Sequence, residues 1–426
     1  MKIDYRFMRP EKAKAVRKLH EAPFEKKTEL RYESFRNALI LPIRKFAEDN
    51  EALLFGRGCL IDEAGDFVEA SGIPGRVGGA YPSEIPPLTD RKVVFCGYLA
   101  AGWGHFLVES VTRLWYALRE EEGVDSYVFV NVENAGSRIS GNFRSFLELL
   151  GIYDRTVLLD SPAHFREVIL PERAYVSASH CSDEYNELID AVIRNAPEAE
   201  KDSPERVFFS RAHLYDKKHF YGRRRSRERG LDMLDDYFAR NGFAIVYPER
   251  TELREQLRLM RGAKLLASES GSCAHNMLLA PKGASTLIME RQALPNRFQA
   301  EIDRMRDLDC RYVDSYYALY PTADFGGPYL LMYSEQMKRF SEAFSYQAPD
   351  ARFLTEAYER ASVKWFMRLY RHLFGKRFFW GDEIDRVSDW AEVFSEVNDE
   401  SYEHFRAYLE TGWDRFLFRL TEKIGY

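Results

Sequence analysis

Short apolar runs alternate with amphipathic stretches along the first 195 residues of the chain. Each run has the length of a buried strand, and each amphipathic stretch has the spacing of a helix with one apolar face. Strands that alternate with helices favour a parallel, doubly wound sheet. The predicted strands are residues 38–43, 92–96, 127–130, 157–159 and 168–170, and the predicted helices are residues 105–120, 139–150 and 184–194. Short runs around a glycine turn predict a hairpin at residues 59–69.

The alternation stops at residues 195–205, NAPEAEKDSPE, a polar stretch with two prolines and four acidic residues that predicts a linker. It then restarts, which predicts a second, Rossmann-like domain. In such sheets ligands bind beyond the carboxyl ends of the strands. The predicted strands here are residues 207–210, 244–247, 264–267, 286–289 and 310–313, and the predicted helices are residues 227–241, 252–262, 273–280 and 298–305.

Helical, aromatic sequence without a strand pattern begins near residue 326 and predicts a C-terminal helical extension. The predicted units are therefore residues 1–195, 196–205, 206–325 and 326–426. Within the extension, residues 363–379 are amphipathic, with Trp365 on the aromatic side and Arg368 on the basic side. Such a helix can lie on an anionic membrane. Packing of the aromatic side against the domains is the interpretation that we favour, because aromatic stripes usually belong to a core.

Composition narrows the class of protein. The 426 residues are 45% hydrophobic and carry a net charge of −6, which excludes wholesale disorder and gives no general reason to bind nucleic acid. The five cysteines are odd in number and form no CxxC pair, so neither a zinc knuckle nor a disulfide framework is expected. The N-terminus lacks the apolar region of a signal peptide, and no apolar run is long enough to span a bilayer. We expect a soluble, cytoplasmic protein.

The stretch GWGHFLVESVTRLW at residues 102–115 carries the first candidate chemistry. As a helix it would place His105, Glu109 and Arg113 on a polar face, opposite an apolar face. It follows the predicted strand at residues 92–96, so it begins at the ligand edge of the sheet. A neutral histidine whose tautomer is fixed by a glutamate is a plausible general base. A solvated polar face is the alternative interpretation.

Two more stretches lie at predicted strand ends of the second domain. Arg211 ends one strand, where it can offer a planar donor fork to a phosphate or simply form a surface ion pair. The turn SESGS at residues 268–272 precedes a predicted helix, and a helix start favours an anion. The alternative interpretation is an ordinary loop between a strand and a helix, in which no anion binds. A basic loop at residues 217–227 can attract an acidic ligand or be a solvated face.

The predicted helix after this turn adds side chains to the candidate site. His275 and Asn276 lie on the side that can reach a ligand at the turn, although a histidine satisfied within the core is the alternative. Glu290 ends the next predicted strand and can accept hydrogen bonds from ribose hydroxyls, or be an ordinary carboxylate at a strand end.

In this order, the three stretches resemble glycosyltransferase family 61, a family of capsular-polysaccharide type. The resemblance rests on GHFLVESVTRLW at residues 104–115, FFSR at residues 208–211, and residues 257–290, where Gly271, Ser272, Asn276, Pro281 and Gly283 are in register. It covers about residues 90–320. It implies a GT-B-like α/β fold, in which two Rossmann-like, doubly wound domains face a cleft.

The resemblance also implies an inverting transferase without an essential metal or other cofactor. A nucleotide-sugar, expected to be a UDP-sugar, would bind to the second domain, and a glycan or lipid-linked glycan would bind to the first. His105 and Glu109 would act in catalysis, with Trp103 and Arg113 on the acceptor side. The implied donor-binding residues are Arg211, Ser270, Gly271, Ser272, His275, Asn276 and Glu290. The expected setting is capsular polysaccharide synthesis in the cytoplasm, at the inner face of the membrane.

One departure from the family pattern is Ser270, which stands where the family usually has a histidine. It favours one alternative, a degenerate, non-catalytic protein that binds or assembles glycans. A separate alternative is another reaction on the same scaffold, such as that of a nucleotide-sugar epimerase, which would need no acceptor.

Overall fold

A computed structural model describes residues 1–46, 49, 54–119, 123–214, 228–292, 294–316, 329–363 and 365. The basic loop at residues 217–227 and nearly all of residues 363–379 lie outside this part of the chain, so the membrane contact stays a prediction. No helix within the described part is long and apolar enough to cross a membrane.

Strands and helices alternate along most of the described chain. The strands are β1 (Lys2–Phe7), β2 (Glu25–Lys27), β3 (Tyr32–Arg44), β4 (Arg57–Ile61), β5 (Leu88–Tyr98), β6 (Ser126–Val130), β7 (Thr156–Leu159), β8 (Ala163–Pro171), β9 (Tyr175–Val176), β10 (His180–Ser182), β11 (Arg206–Phe209), β12 (Glu228–Arg229), β13 (Ala244–Val246), β14 (Leu265–Glu269), β15 (Ser285–Glu290), β16 (Asp309–Asp314) and β17 (Tyr329–Leu330). The α-helices are α1 (Pro10–Glu21), α2 (Trp103–His105), α3 (Asn142–Leu149), α4 (Asp183–Arg194), α5 (Leu231–Arg240), α6 (Leu253–Gly262), α7 (Arg297–Met305) and α8 (Glu335–Phe344). A π-helical turn spans Phe106–Ser110, and 3-10 helices span Glu69–Ser71, Val111–Arg119, Tyr153–Arg155, Ala274–Leu279 and Ala351–Leu354.

The first large sheet has six strands in the order β4-β3-β8-β5-β6-β7. The predicted parallel arrangement is confirmed for β8, β5, β6 and β7. It is wrong for β3, which runs antiparallel to both β4 and β8. Antiparallel neighbours need no helical crossover, and the helical pattern that marks crossovers begins only after β5. The predicted hairpin is seen where Ile61 at the end of β4 pairs with Phe67.

The second large sheet has the order β1-β16-β15-β14-β11-β13, and all neighbouring strands are parallel. Without β1, this is the doubly wound order 2-1-3-4-5, whose chain direction switches between β11 and β14. The N-terminus belongs to this sheet, because β1 pairs with β16 and α1 packs against α7. The predicted domain division at residue 195 does not anticipate this pairing.

One hydrophobic cluster fills the space between the two sheets. It includes Val94 of the first sheet, Leu266 of the second, and the helices between them. On the far face of the second sheet, α5 and α8 pack over Phe208 and Phe7. The start of the predicted C-terminal extension, through α8, is thus a layer on the second sheet.

Most of the predicted strands and helices are confirmed, since apolar periodicity reports which face an element buries. One difference concerns the candidate site. The helix predicted at residues 273–280 is a six-residue 3-10 helix, Ala274–Leu279, which ends just before Pro281. It therefore provides no full α-helical turn at the SESGS turn, and the argument from a helix dipole loses its basis there.

Candidate active site

The candidate site lies where strands of the second sheet reach their carboxyl ends. Arg211 follows β11, the turn containing Gly271 follows β14, and Arg291 follows β15. Because β11 and β14 flank the point where the winding direction switches, a crevice for a ligand is expected between the loops that follow them.

The first predicted stretch contacts the third at this edge. The Trp103 indole Nε1 donates to the Asn276 side-chain oxygen Oδ1 at 2.5 Å. Gly104 lies so close to the turn that a Cβ there would be 2.7 Å from Nδ1 of His275 and 2.9 Å from Oγ of Ser272. Because Gly104 has no side chain, the start of the helical segment at residues 103–119 can pack directly against the turn at residues 268–272 and the residues after it.

Histidines from both stretches pack against the same aromatic ring. The ring centroid of Phe298 lies 6.1 Å from that of His105 and 5.9 Å from that of His275. The side chain of His105 is 48% exposed, whereas His275 is buried. Of the two rings, His105 is therefore the one that a substrate can reach.

Glu109 holds one nitrogen of His105. Its Oε2 lies 3.2 Å from His105 Nδ1, and its Oε1 lies 2.7 Å from Nη1 of Arg76. The hydroxyl of Tyr98 also donates to this carboxylate. Three donors therefore converge on a carboxylate that is itself only 12% exposed.

These donors keep Glu109 ionised. Burial alone would raise the pKa of this carboxyl. The hydrogen bond from His105, the charges of His105 and Arg76, and the Tyr98 hydroxyl outweigh burial and lower the pKa below its ordinary value. An ionised Glu109 accepts the Nδ1 proton of His105, which leaves Nε2 of the neutral ring able to take a proton from a substrate.

Two arginines share one buried carboxylate at the ends of β11 and β15. Glu228 Oε1 lies 3.1 Å from Nη2 of Arg211, and it also accepts from Nη1 of Arg291. Burial would raise the pKa of Glu228, but the two guanidinium groups lower it. Two positive charges against one negative charge leave this group with one net positive charge.

Gly271 lets Arg291 lie across the turn. Its φ is +112°, and a Cβ there would lie 2.7 Å from Nη2 of Arg291. A side chain would therefore be strained and would also displace the guanidinium. The side chain of Arg291 also lies over the ring of Tyr329, 4.1 Å from its centroid.

The family model of Glycosyltransferase 61 matches residues 103–288. This segment belongs to glycosyltransferase family 61. The match begins at Trp103, covers Arg211 and the turn, and ends within β15. It confirms the resemblance seen in the sequence and supports a glycosyltransferase. No curated protein matches the chain.

The family position usually held by histidine is occupied here by a buried serine. The Ser270 hydroxyl accepts from the backbone N–H of Arg291 at 3.3 Å, and its own N–H donates to the carbonyl of Met289. Ser270 thus ties the turn after β14 to the end of β15 and is only 2% exposed.

His275 of the family segment is a neutral, buried ring. Burial lowers its pKa to about 3, and its Nδ1 has no hydrogen-bond partner within the described part of the chain. Its Nε2 lies 3.4 Å from the Asn296 side-chain nitrogen. Asn276 is fully buried and is already engaged by Trp103.

Two other predicted site residues have partners elsewhere. Glu290 is buried, and its Oε2 lies 2.7 Å from Nζ of Lys12, which α1 contributes. Arg113 is buried and donates to the backbone carbonyls of Pro171 and Ala70. Arg113 therefore does not share an exposed face with His105, although it lines the same small cavity as Glu109.

Sequence reasoning did not select several residues that complete the site. They are Lys12, Arg76, Tyr98, Glu228, Glu269 and Arg291. Arg291 had the same signal as Arg211, namely a position just after a predicted strand of the second domain. Glu269 lay within the turn that the sequence singled out. The others come from distant stretches, and no local pattern links them to the site.

Three carboxylates of the candidate site have cationic partners: Glu109 pairs with Arg76, Glu228 with two arginines, and Glu290 with Lys12. Among the residues that the structure describes, no group of three or more His, Cys, Asp or Glu side chains is arranged to hold a metal ion.

Proposed function

We propose that the protein is an inverting, metal-independent glycosyltransferase of GT-B type that moves a sugar from a nucleotide-sugar to a glycan acceptor. A UDP-sugar is the donor that we expect, and capsular or other cell-surface polysaccharide is the product class. The contact of Trp103 and Gly104 with the turn after β14 carries this proposal. It joins the segment that carries His105 and Glu109 to the turn across which Arg291 lies.

In the proposed donor site, Arg211 and Arg291 bind the diphosphate. Planar guanidinium groups match phosphate oxygens, and their net positive charge stabilises the nucleoside diphosphate as it departs. The turn approaches Arg291 at Gly271 and Gly104 of the first stretch at Ser272. Glu290 is left out of the donor contacts, because Lys12 already occupies its carboxylate.

In the proposed reaction, His105 Nε2 takes the proton from the acceptor hydroxyl. The acceptor oxygen then forms its bond to the anomeric carbon, and the bond from that carbon to the diphosphate oxygen breaks with both electrons leaving on the diphosphate. Attack opposite the leaving group inverts the anomeric configuration. Glu109 stabilises the protonated His105 and keeps the ring in place.

Two substitutions test these roles. His105→Ala and Arg211→Ala should each lower kcat/KM at least about 100-fold, the usual cost of losing a general base or an electrostatic donor. His164→Ala and Arg240→Ala are matched controls: His164 contacts the Asn37 carbonyl on the first sheet, and Arg240 pairs with exposed acids beside α5. Activity of H105A or R211A at the level of these controls would refute the assignment.

Further measurements separate the proposal from its alternatives. Turnover that persists in EDTA supports metal independence, and an absolute requirement for Mn²⁺ refutes it. Consumption of a nucleotide-sugar without any acceptor favours an epimerase. Calorimetry that detects binding of no nucleotide favours a non-catalytic glycan-binding protein.

A further inference from the structure

Glu269 is a fully buried carboxyl at the end of β14, one of the two strands between which the winding of the second sheet switches. Its Oε1 accepts from the backbone N–H of Arg211 at 3.2 Å. Its Oε2 is buried and has no hydrogen-bond partner among the described residues. The carboxyl thus fixes the chain at Arg211 with one oxygen, while the other is unsatisfied.

Several charged and titratable groups of the described residues lie near Glu269. Arg211 and Glu228 lie on the side of β11 and β12, and Arg291 shares Glu228 with Arg211. The Cys273 thiol faces it from the turn, and burial raises the pKa of that thiol above its ordinary range. Glu249 follows β13 and interacts with Arg211, His213 and Arg250. With Glu269 neutral, the Arg211–Glu228–Arg291 group keeps one net positive charge, and with Glu269 ionised that charge is cancelled.

We propose that Glu269 is a positioning residue that sets the charge of the donor site. In its neutral form it holds the backbone at Arg211 and leaves a positive charge for a nucleoside diphosphate. In its ionised form it removes that charge, so the site holds the diphosphate less well. This inference rests on the proposed function, because it takes the ligand of Arg211 and Arg291 to be a diphosphate.

Burial supports this behaviour by penalising the charged carboxylate. It raises the pKa of Glu269 to about 8, although the charge of Arg211 and backbone hydrogen bonds act in the opposite direction. Neutral Glu269 therefore dominates at neutral pH, and ionisation occurs in weakly alkaline solution. Diphosphate affinity should fall as pH rises through this range, and binding should draw a proton onto the protein.

Calorimetric titration with UDP between about pH 7.5 and about pH 8.8 tests the inference, because the terminal phosphate of UDP is largely ionised in this range and its uracil is still mostly neutral. For the wild-type protein, Kd should rise toward about tenfold per pH unit above the pKa. Glu269→Gln keeps an oxygen that can accept from Arg211 but cannot ionise, so its Kd should vary little with pH. Asp314→Asn is the matched control: Asp314 is another buried carboxyl at a strand end of this sheet, and burial raises its pKa only to about 6. D314N should retain the alkaline loss of affinity.

Proton uptake by the wild-type protein gives a second test that needs no variant. Titrations at about pH 8 in two buffers of different ionisation enthalpy should show uptake of about half a proton per UDP bound. Binding with no proton uptake and the same Kd across the pH range overturns the inference but leaves the proposed function intact. Failure to bind UDP, GDP or CDP at any pH overturns the proposed function as well.

Discussion

Gly104→Ala should disrupt the contact that joins the two halves of the site. The substitution adds one methyl group at the start of the helical segment at residues 103–119. That methyl carbon would lie 2.7 Å from Nδ1 of His275 and 2.9 Å from Oγ of Ser272, closer than such carbons are found to other atoms. His275 is buried against Phe298, so its ring has little room to withdraw.

The expected change in the free energy of unfolding of G104A is the sum of two opposing effects. Alanine in a helix gains about 0.5–1 kcal/mol over glycine, since the unfolded chain loses conformational freedom. Overpacking a tight contact costs about 1–3 kcal/mol, and here two neighbours are approached at once. We expect a net loss of about 1–2 kcal/mol in the free energy of unfolding. The effect on catalysis should be larger, because a shift of about 1 Å in a reacting group can cost about 100-fold in rate.

Gly102→Ala is the matched control for this experiment. A Cβ at Gly102 would have its nearest neighbour, Cδ2 of His105, at 3.8 Å, which is an ordinary contact, and its φ of −98° suits alanine. Thermal unfolding and kcat/KM should be measured for both variants. G104A should melt a few degrees below G102A and lose about 100-fold in kcat/KM, whereas G102A should stay near the wild type.

Equal melting temperatures and equal turnover of the two variants would refute this reasoning. A double variant gives a further check, because Ser272→Gly removes two of the three nearest atoms that the new methyl group meets, Oγ and Cβ of Ser272. The free energies of unfolding of G104A, S272G and the double variant should therefore show coupling, with G104A less harmful when Ser272 is absent. Simple additivity would mean that the two residues do not meet as the structure shows.

Three further substitutions test other contacts. Lys12→Met should lower the free energy of unfolding by about 3–5 kcal/mol in a denaturant titration, because it strands the buried Glu290, and adding Glu290→Leu should recover much of that loss. Trp103→Phe should cost about 1–3 kcal/mol in the same titration by leaving the Asn276 oxygen without its donor, and no loss would contradict that hydrogen bond. Glu109→Gln should lower kcat at least about 100-fold. Because the folded pKa of Glu109 is lowered, its contribution to stability is present above its unfolded pKa and is lost as pH falls through the folded value. E109Q should therefore lose less stability than the wild type on acidification, and equal losses would argue against an ionised Glu109.

The sequence was sufficient to predict most strands and helices of the second domain, and that Arg211 and the turn at residues 268–272 follow strands of its sheet. Periodicity reports burial, and the order of strands and helices restricts the topology. It could not predict that β1 completes this sheet, since Lys12 and Glu290 are 278 residues apart and neither stretch carries a sign of the other. The ribose-binding role expected of Glu290 required a carboxylate that could accept hydrogen bonds from a ligand. In the structure this carboxylate pairs with Lys12 of α1.

The segment at residues 103–119 shows how a local irregularity changes which side chains share a face. A uniform α-helix would align His105, Glu109 and Arg113 at intervals of four residues. The π-helical turn at Phe106–Ser110 and the 3-10 helix after it interrupt that spacing. His105 and Glu109 still meet across the first turn, whereas Arg113 is rotated into the core and binds backbone carbonyls. The rule that residues four apart share a face therefore holds only where the helix is regular. The sequence pattern did not indicate where this helix becomes irregular.

The glutamates of the candidate site have different bonding partners. These partners indicate different roles, which the residue type alone does not distinguish. Glu109 faces a half-exposed histidine, so its charge can serve a reaction at the surface. Glu228 is enclosed by two arginines and reduces their charge by one, and Glu290 only neutralises a buried lysine. Glu269 accepts from a backbone N–H, and no cation is bonded to it among the described residues. Burial raises its pKa to about 8, so it is the carboxyl through which we propose that solution pH sets the charge available to a diphosphate.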